Sequence, residues 1–158
     1  IYCDSCFFDA AWTGILLQAL TPIERCRFSG CWSSSHTSHG VLISPDVPAL
    51  VDTIEFQNHH SFFNTGDGIH IGKGVNVKVE GSSCCANLSG IGVGGNARHV
   101  ILTGNKIGST QAMAGNQYGV YLIDPCDYVI LSANDLLGNL NQNLVGNPAH
   151  VTQAANLM

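Results

Sequence analysis

A parallel β-helix, an all-β solenoid, is the fold class that three repeating signals in this chain predict. An eight-residue phrase, apolar at its first, third and last positions, recurs from starts at 1, 21, 54, 77, 100, 129 and 151. A repeat of 20 to 33 residues marks a solenoid, because each unit can bury its apolar side only against its neighbours. The second signal is a glycine leading into an alternating apolar triplet, as in Gly14-Ile-Leu-Leu17, Gly40-Val-Leu-Ile43, Gly68-Ile-His-Ile71, Gly90-Ile-Gly-Val93 and Gly119-Val-Tyr-Leu122. The third is the Asn, Gly, Ser and Asp between these runs, which supply the tight and left-handed conformations that turns require.

Each element follows from alternation. Within the phrases Ile54–Ser61, Val77–Cys84, Val100–Ile107 and Val129–Leu136, residues two apart are apolar, the period of a strand with one buried side. The glycine-led triplets form a second strand, and the remaining length leaves room for a short third. Ala10–Leu20 has some helical character, yet matching Cys6-Phe-Phe-Asp-Ala-Ala-Trp12 to Cys26-Arg-Phe-Ser-Gly-Cys-Trp32 predicts coils there instead. The longest insertions are Cys31–Gly40, Ser44–Thr53 and Gly108–Tyr118, and loops of this kind wall a groove on a solenoid's flank. In the last unit the glycine signal decays to Asn143-Leu144-Val145.

The Val-x-apolar-x-Gly-Asn-x-Ile phrase at Val100–Ile107, followed by Gly-Ile-x-Ile units, resembles the right-handed parallel β-helix proteins of the pectate-lyase-like superfamily. With its loose coils and the ending Asn134-Asp-Leu-Leu-Gly-Asn139, the chain is most similar within that group to bacteriophage tailspikes. The resemblance spans the whole chain and implies a single-stranded right-handed solenoid of about six to seven coils. It implies one domain over residues 1–158, working as a homotrimer on a virion tail, with bacterial surface polysaccharide as its partner. It is specific for fold and weak for chemistry, since many activities share the scaffold.

Composition narrows the classes. Charged residues make up 11% of the chain, and 18 glycines fill the turns. The net charge of −5 with 6 Lys and Arg excludes a nucleic-acid groove, which needs clustered cations. No apolar run reaches membrane-spanning length, so no membrane insertion is expected. The chain opens on Ile within a repeat phrase and closes on Met within another, and is read as a fragment or processed part of a longer protein.

Seven cysteines are an odd count, and Cys3-x2-Cys6 with Cys26-x4-Cys31 approaches a zinc-ribbon spacing. Repeat alignment places Cys3 with the core residues Ile23, Phe56, Val79, Leu102 and Leu131, and sets Cys6 and Cys26 with the turn residues Asn105, Asn134 and Asn156. Structural or free thiols in a reducing compartment follow, with no metal and no cofactor expected. His36-x2-His39 reads as a solvated loop, and His59-His60 as neighbours pointing opposite ways. Asn87-Leu-Ser89 matches a glycosylation acceptor, a triplet frequent by chance.

Candidate chemistry sits on two outward columns. In the first, Asp4, Glu24, Gln57, Glu80, Thr103 and Ser132 align, with coils about 4.8 Å apart, placing Asp4 beside Glu24 and Glu24 about 10 Å from Glu80. Carboxylates so spaced suit general acid and base in glycoside hydrolysis; a solvated polar face accounts for the same residues. In the second, Leu16, Leu42, His70, Gly92 and Tyr121 align, flanked by Asp67 and Tyr118, with a notch at Gly92. Rings, an imidazole and an acid beside a notch form a sugar-binding arrangement, whereas exposed Leu16 and Leu42 suit an interface. Asn64-Thr-Gly-Asp67 is similar to the Asn-Thr-Asp motif of polygalacturonase-like members, with an extra glycine and without that family's later Asp, His and Arg motifs.

The expected function is a tailspike-like segment that binds, and as an enzyme hydrolyses or lyses, polysaccharide. Glu24, Glu80 and Asp67 are the candidate catalytic residues, and His70, Tyr118 and Tyr121 the substrate-binding ones. Two alternatives stand beside it: a structural trimeric stalk or receptor-binding rod, and a secreted bacterial β-helix adhesin or polysaccharide epimerase or lyase domain.

Overall fold

The structure, a computed structural model, describes residues 1–47, 50–146 and 150–158. The strands run coil by coil. The first coil holds β1 (Tyr2–Asp4), β2 (Phe7–Asp9) and β3 (Ile15–Leu17), and the second β4 (Ile23–Ser29), β5 (Trp32–Ser34) and β6 (Val41–Ile43). The third has β7 (Val51–Gln57), β8 (His60–Phe62) and β9 (Ile69–Ile71), and the fourth β10 (Val75–Glu80), β11 (Ser83–Cys85) and β12 (Ser89–Val93). The fifth has β13 (Arg98–Thr103), β14 (Lys106–Ile107) and β15 (Tyr118–Leu122). The sixth has β16 (Asp127–Ser132) and β17 (Gln142–Val145), and β18 (Val151–Ala154) begins another turn. Equivalent strands stack in parallel into sheets of seven, five and six strands among the described residues. This is the predicted all-β parallel solenoid of about six coils. Among the described residues no helix is long and apolar enough to cross a membrane.

Alternation sets what is buried. Ile54, Val77, Val100 and Val129 lie above one another with no exposed surface, as do Phe56, Val79, Leu102 and Leu131 two residues on. Stacking like on like makes a continuous apolar column, with Phe28 and Phe56 nearly parallel at 4.9 Å between ring centres.

Corners repeat as faithfully as strands. Ser5, Gly30, Asn58, Gly81, Gly104, Ala133 and Ala155 all take left-handed conformations, with φ between 50 and 63°. The next residue then turns inward, forming the column Cys6, Cys31, His59, Ser82, Asn105, Asn134 and Asn156. Glycine takes such a φ freely, as at Gly104, whereas Ala133 pays about 1 kcal/mol. The corner bonds compensate: Asn105 and Asn134 each accept a backbone N–H from the coil before and donate to a backbone carbonyl and to the next side chain. A second ladder of Asn64, Asn87, Asn116 and Asn139 lines the next corner, reached from His36. Asn87 is therefore a buried structural rung, and its side chain is closed to modification in the folded chain.

Three expectations need correction. The second phrase begins at Cys26, not Thr21: Cys26 pairs with Ile54 and Phe28 with Phe56, while Ile23 pairs with Val51. The cause is a left-handed kink inside the strand at Arg25 and its equivalents Thr53, Asn76, His99 and Tyr128, and just before β18 at His150, which lets residues three apart both face inward. Cys26 is consequently a core residue, and Cys31 takes the corner position beside Cys6. The Cys31–Gly40 segment is no insertion, since it carries β5 and a corner. His36, expected in solvent, is buried there, with Nδ1 accepting from the Ala11 N–H at 3.1 Å and Nε2 lying 3.2 Å from the Phe8 carbonyl. Gly108–Gln117 is a true loop, and Ser44–Thr53 lies partly outside the described residues.

Candidate functional site

The register correction dissolves the acidic column. Asp4 lies opposite Ser29, and Glu24 lies opposite Asp52, five residues away from the column that holds Glu80. Glu80 stands between Gln57 and Thr103 on the seven-stranded sheet, its carboxylate 2.7 Å from Lys78 Nζ. Arg27 pairs with Glu55 and donates to Gln57 on the same face. Glu24 and Glu80 are not brought together, and neither lies with Asp67, which sits just before β9 of another sheet. An exposed ion-paired surface describes this face.

The column on the six-stranded sheet assembles as its sequence spacing predicts. Leu16, Leu42, His70, Gly92 and Tyr121 are in direct register, between inward residues such as Ile69 and Ile71. One residue before each marker glycine, a second outward row holds His39, Asp67, Ser89 and Tyr118. It is tied by Gly40 N–H to Asp67 carbonyl and Gly68 N–H to Ser89 carbonyl bonds, 3.1 and 2.8 Å long. His39 is the residue that sequence reasoning assigned elsewhere. The signal that finds it is its place before Gly40, matching Asp67 before Gly68.

Asp67 is the centre of the site. Its carboxylate is largely buried, with Oδ2 2.6 Å from His70 Nδ1, and its backbone N–H donates to His39 Nδ1 at 3.0 Å. The two imidazoles lie 4.8 Å apart, centre to centre. Three glycines clear the space. A Cβ at Gly92 would overlap Asp67 Oδ2; one at Gly66 would fall 2.8 Å from His39 Nδ1, and one at Gly72 would fall 3.0 Å from His70 Nε2. Tyr118 and Tyr121 stand beside them, ring centres 5.7 Å apart. His39, Asp67, Ser89 and the two tyrosines line an open cleft of about 360 Å³, with Leu88 and Ile123 at its rim.

The hydrogen bonds assign the protons. In its neutral form His70 presents Nδ1–H to the carboxylate, which leaves the lone pair of Nε2 as an acceptor. His39 receives a backbone N–H on Nδ1, so in its neutral form Nε2 carries the proton and is a donor. Burial, with His70 beside it, lowers the His39 pKa, and Asp67 opposes them only in part. Donor atoms of His39, Asp67 and His70 gather within 4.8 Å, a separation a metal ion could bridge. Both Nδ1 atoms are already engaged, however, so the set is satisfied as a hydrogen-bond network. Chemically it is an imidazole base oriented by a carboxylate, beside a neutral imidazole donor and two phenols.

Comparison with known proteins follows this geometry. In fold, the chain is similar to the periplasmic alginate epimerase AlgG. The two superpose with a TM-score of 0.81 over 99% of this chain at 18% identity, and the chain spans 39% of the AlgG structure's length. The A-module of the Azotobacter vinelandii mannuronan C-5 epimerase AlgE6 superposes with a TM-score of 0.56 at 10% identity, over 93% of this chain and 57% of that one. No protein-family signature and no curated protein matches the sequence. At these identities the likeness concerns the β-helix itself.

Proposed function

We propose that this chain is the sugar-contacting β-helix of an exported polysaccharide-modifying protein of epimerase or lyase type, acting on a uronic-acid polymer. The observation that carries it is the 2.6 Å Asp67–His70 bond, whose Asp67 partner lines the cleft that Tyr118 and Tyr121 wall. The two similar structures are named for alginate and mannuronan epimerases, which favours this reading over a tailspike on a virion. His70 Nε2 takes the proton from the sugar carbon next to the carboxylate, and Asp67 stabilises the imidazolium that results. The electron pair moves into the carboxylate, where His39 Nε2–H, the Ser89 hydroxyl and the phenols are the available donors. A phenol on the opposite side returns a proton with inversion, or the 4-linked oxygen departs with chain cleavage.

Incubation of mannuronan in D2O, read by NMR for deuterium uptake and for unsaturated chain ends, tests both outcomes at once, since each begins with loss of that proton. The full-length protein is expected to remove it, and His70→Ala to slow that loss by about 10²–10⁴-fold. His150→Ala is the control, because His150 makes a like 2.6 Å bond to Asp127 outside the cleft. Equal proton loss in His70→Ala and wild type overturns the proposal.

A structural rod is the second reading, favoured by the exposed Trp12, Leu16 and Leu20 on the first coil. It predicts a stable trimer by light scattering, with neither deuterium uptake nor unsaturated chain ends.

A further inference from the structure

We propose that Cys6 and Cys31 form a disulfide that staples the first coil to the second when the protein meets a thiol-oxidising compartment. The two occupy one corner column on adjacent coils, fixed by Phe7 pairing with Trp32 and by the 2.8 Å bond from Trp32 N–H to the Cys6 carbonyl. In-register parallel neighbours lie about 4.8 Å apart, within the Cα range of about 4.4–6.8 Å that disulfides span. Burial raises the pKa of both Cys31 and Cys3, and the neighbouring Cys6 thiol raises each further.

What the column does elsewhere is the second argument. Asn105, Asn134 and Asn156 join coil to coil through side-chain bonds of 2.9 and 3.0 Å. Cysteines at the top have no such bond. Cys31 Sγ instead lies 3.4 Å from the Ser29 carbonyl and 3.5 Å from the Cys3 carbonyl. Where the hydrogen-bonded link between coils stops, a covalent one takes its place.

The chemistry balances as thiol–disulfide exchange. Cys6, the less buried of the two, attacks a disulfide oxidant of the glutathione class as its thiolate, forming a mixed disulfide and releasing one thiol. Cys31 then attacks Cys6 Sγ and releases the second thiol, so one disulfide and two thiols become two thiols and one disulfide. Burial raises the Cys31 pKa, so the more exposed Cys6 is the thiol that makes the first attack.

The test is to oxidise the native, full-length protein with oxidised glutathione, block free thiols, digest with trypsin and map the peptides by mass spectrometry without reduction. Cleavage after Arg25, Arg27 and Lys73 separates the peptide ending at Arg25 from peptide 28–73. A Cys6–Cys31 bond joins these two, and it should persist in Cys3→Ser and vanish in Cys31→Ser. The wild-type thermal midpoint should rise on oxidation and return on reduction. A bridge confined to the Arg25 peptide (Cys3 with Cys6), one that disappears in Cys3→Ser, or fully alkylated thiols after oxidation would each overturn the proposal.

Discussion

His70 Nδ1 lies 2.6 Å from Asp67 Oδ2, and the residue stacked on His70 in the next coil is Gly92, whose bare Cα leaves room for that bond. The bond therefore depends on three consecutive features of the solenoid: the marker glycine that sets Asp67 outward, the alternation that sets His70 outward, and the gap one coil away.

Gly92→Ala should fold and still lose the site. Its methyl group would displace the Asp67 carboxylate, at a stability cost of about 1–3 kcal/mol for overpacking. In wild type, 15N chemical shifts of His70 should report a proton on Nδ1. In the variant they should report mixed tautomers, with loss of the sugar proton falling as far as in His70→Ala. An unchanged His70 tautomer in Gly92→Ala would show that the gap has no part in holding the dyad.

His59 should make the fold sensitive to acid. It is wholly buried, with Nε2 2.9 Å from Ser33 Oγ and Nδ1 lacking a partner among the described residues. Burial, and then the neighbouring His60, lower its pKa to about 3, against about 6.5 in an unfolded chain. Between these values the unfolded chain binds a proton that the folded one refuses. Stability is thus complete above about pH 6.5 and declines by up to about 1.4 kcal/mol per unit as pH falls toward 3. His59→Asn, which places in this column the residue found at Asn105 and Asn134, should flatten that slope. Urea midpoints at pH 7 and 4.5 measure it, and an identical acid shift in both proteins would assign the sensitivity elsewhere.

Asn116→Ala should be among the most damaging single changes outside the apolar column. Its side chain accepts from the Asn87 backbone and amide at 3.1 Å each and donates to the Cys84 carbonyl and Asn139 at 3.0 Å each. Alanine strands these buried groups at about 1–3 kcal/mol apiece, so a loss of about 3 kcal/mol or more is expected from urea unfolding. Hydrogen exchange of the Asn87 amide should accelerate with it. A loss below about 1 kcal/mol would mean that water replaces the rung.

Legibility differed between the sheets for a physical reason. The Leu16, Leu42, His70, Gly92, Tyr121 column could be read from the chain because an invariant local event, a glycine before an apolar triplet, marks each strand's start. On the seven-stranded sheet no such marker exists. Thr21-Pro-Ile23 and Cys26-Arg-Phe28 alternate equally well, and the left-handed kink at Arg25 changes which side of the strand faces inward. Packing of Phe28 on Phe56 settles the choice, and with it Glu24 leaves the company of Glu80.

Alternation and turn chemistry, both local, were enough by themselves to determine the solenoid, the inward residues of its central coils and the row that brings His70 near Tyr121. Which residue lies above which on the longer strands, whether His36 is wet or buried, and the meeting of His39 with Asp67 were decided only in three dimensions. The reason is that a period states how side chains alternate along one strand, while stacking between coils depends on loop lengths and on buried rings and amides finding partners across the layer.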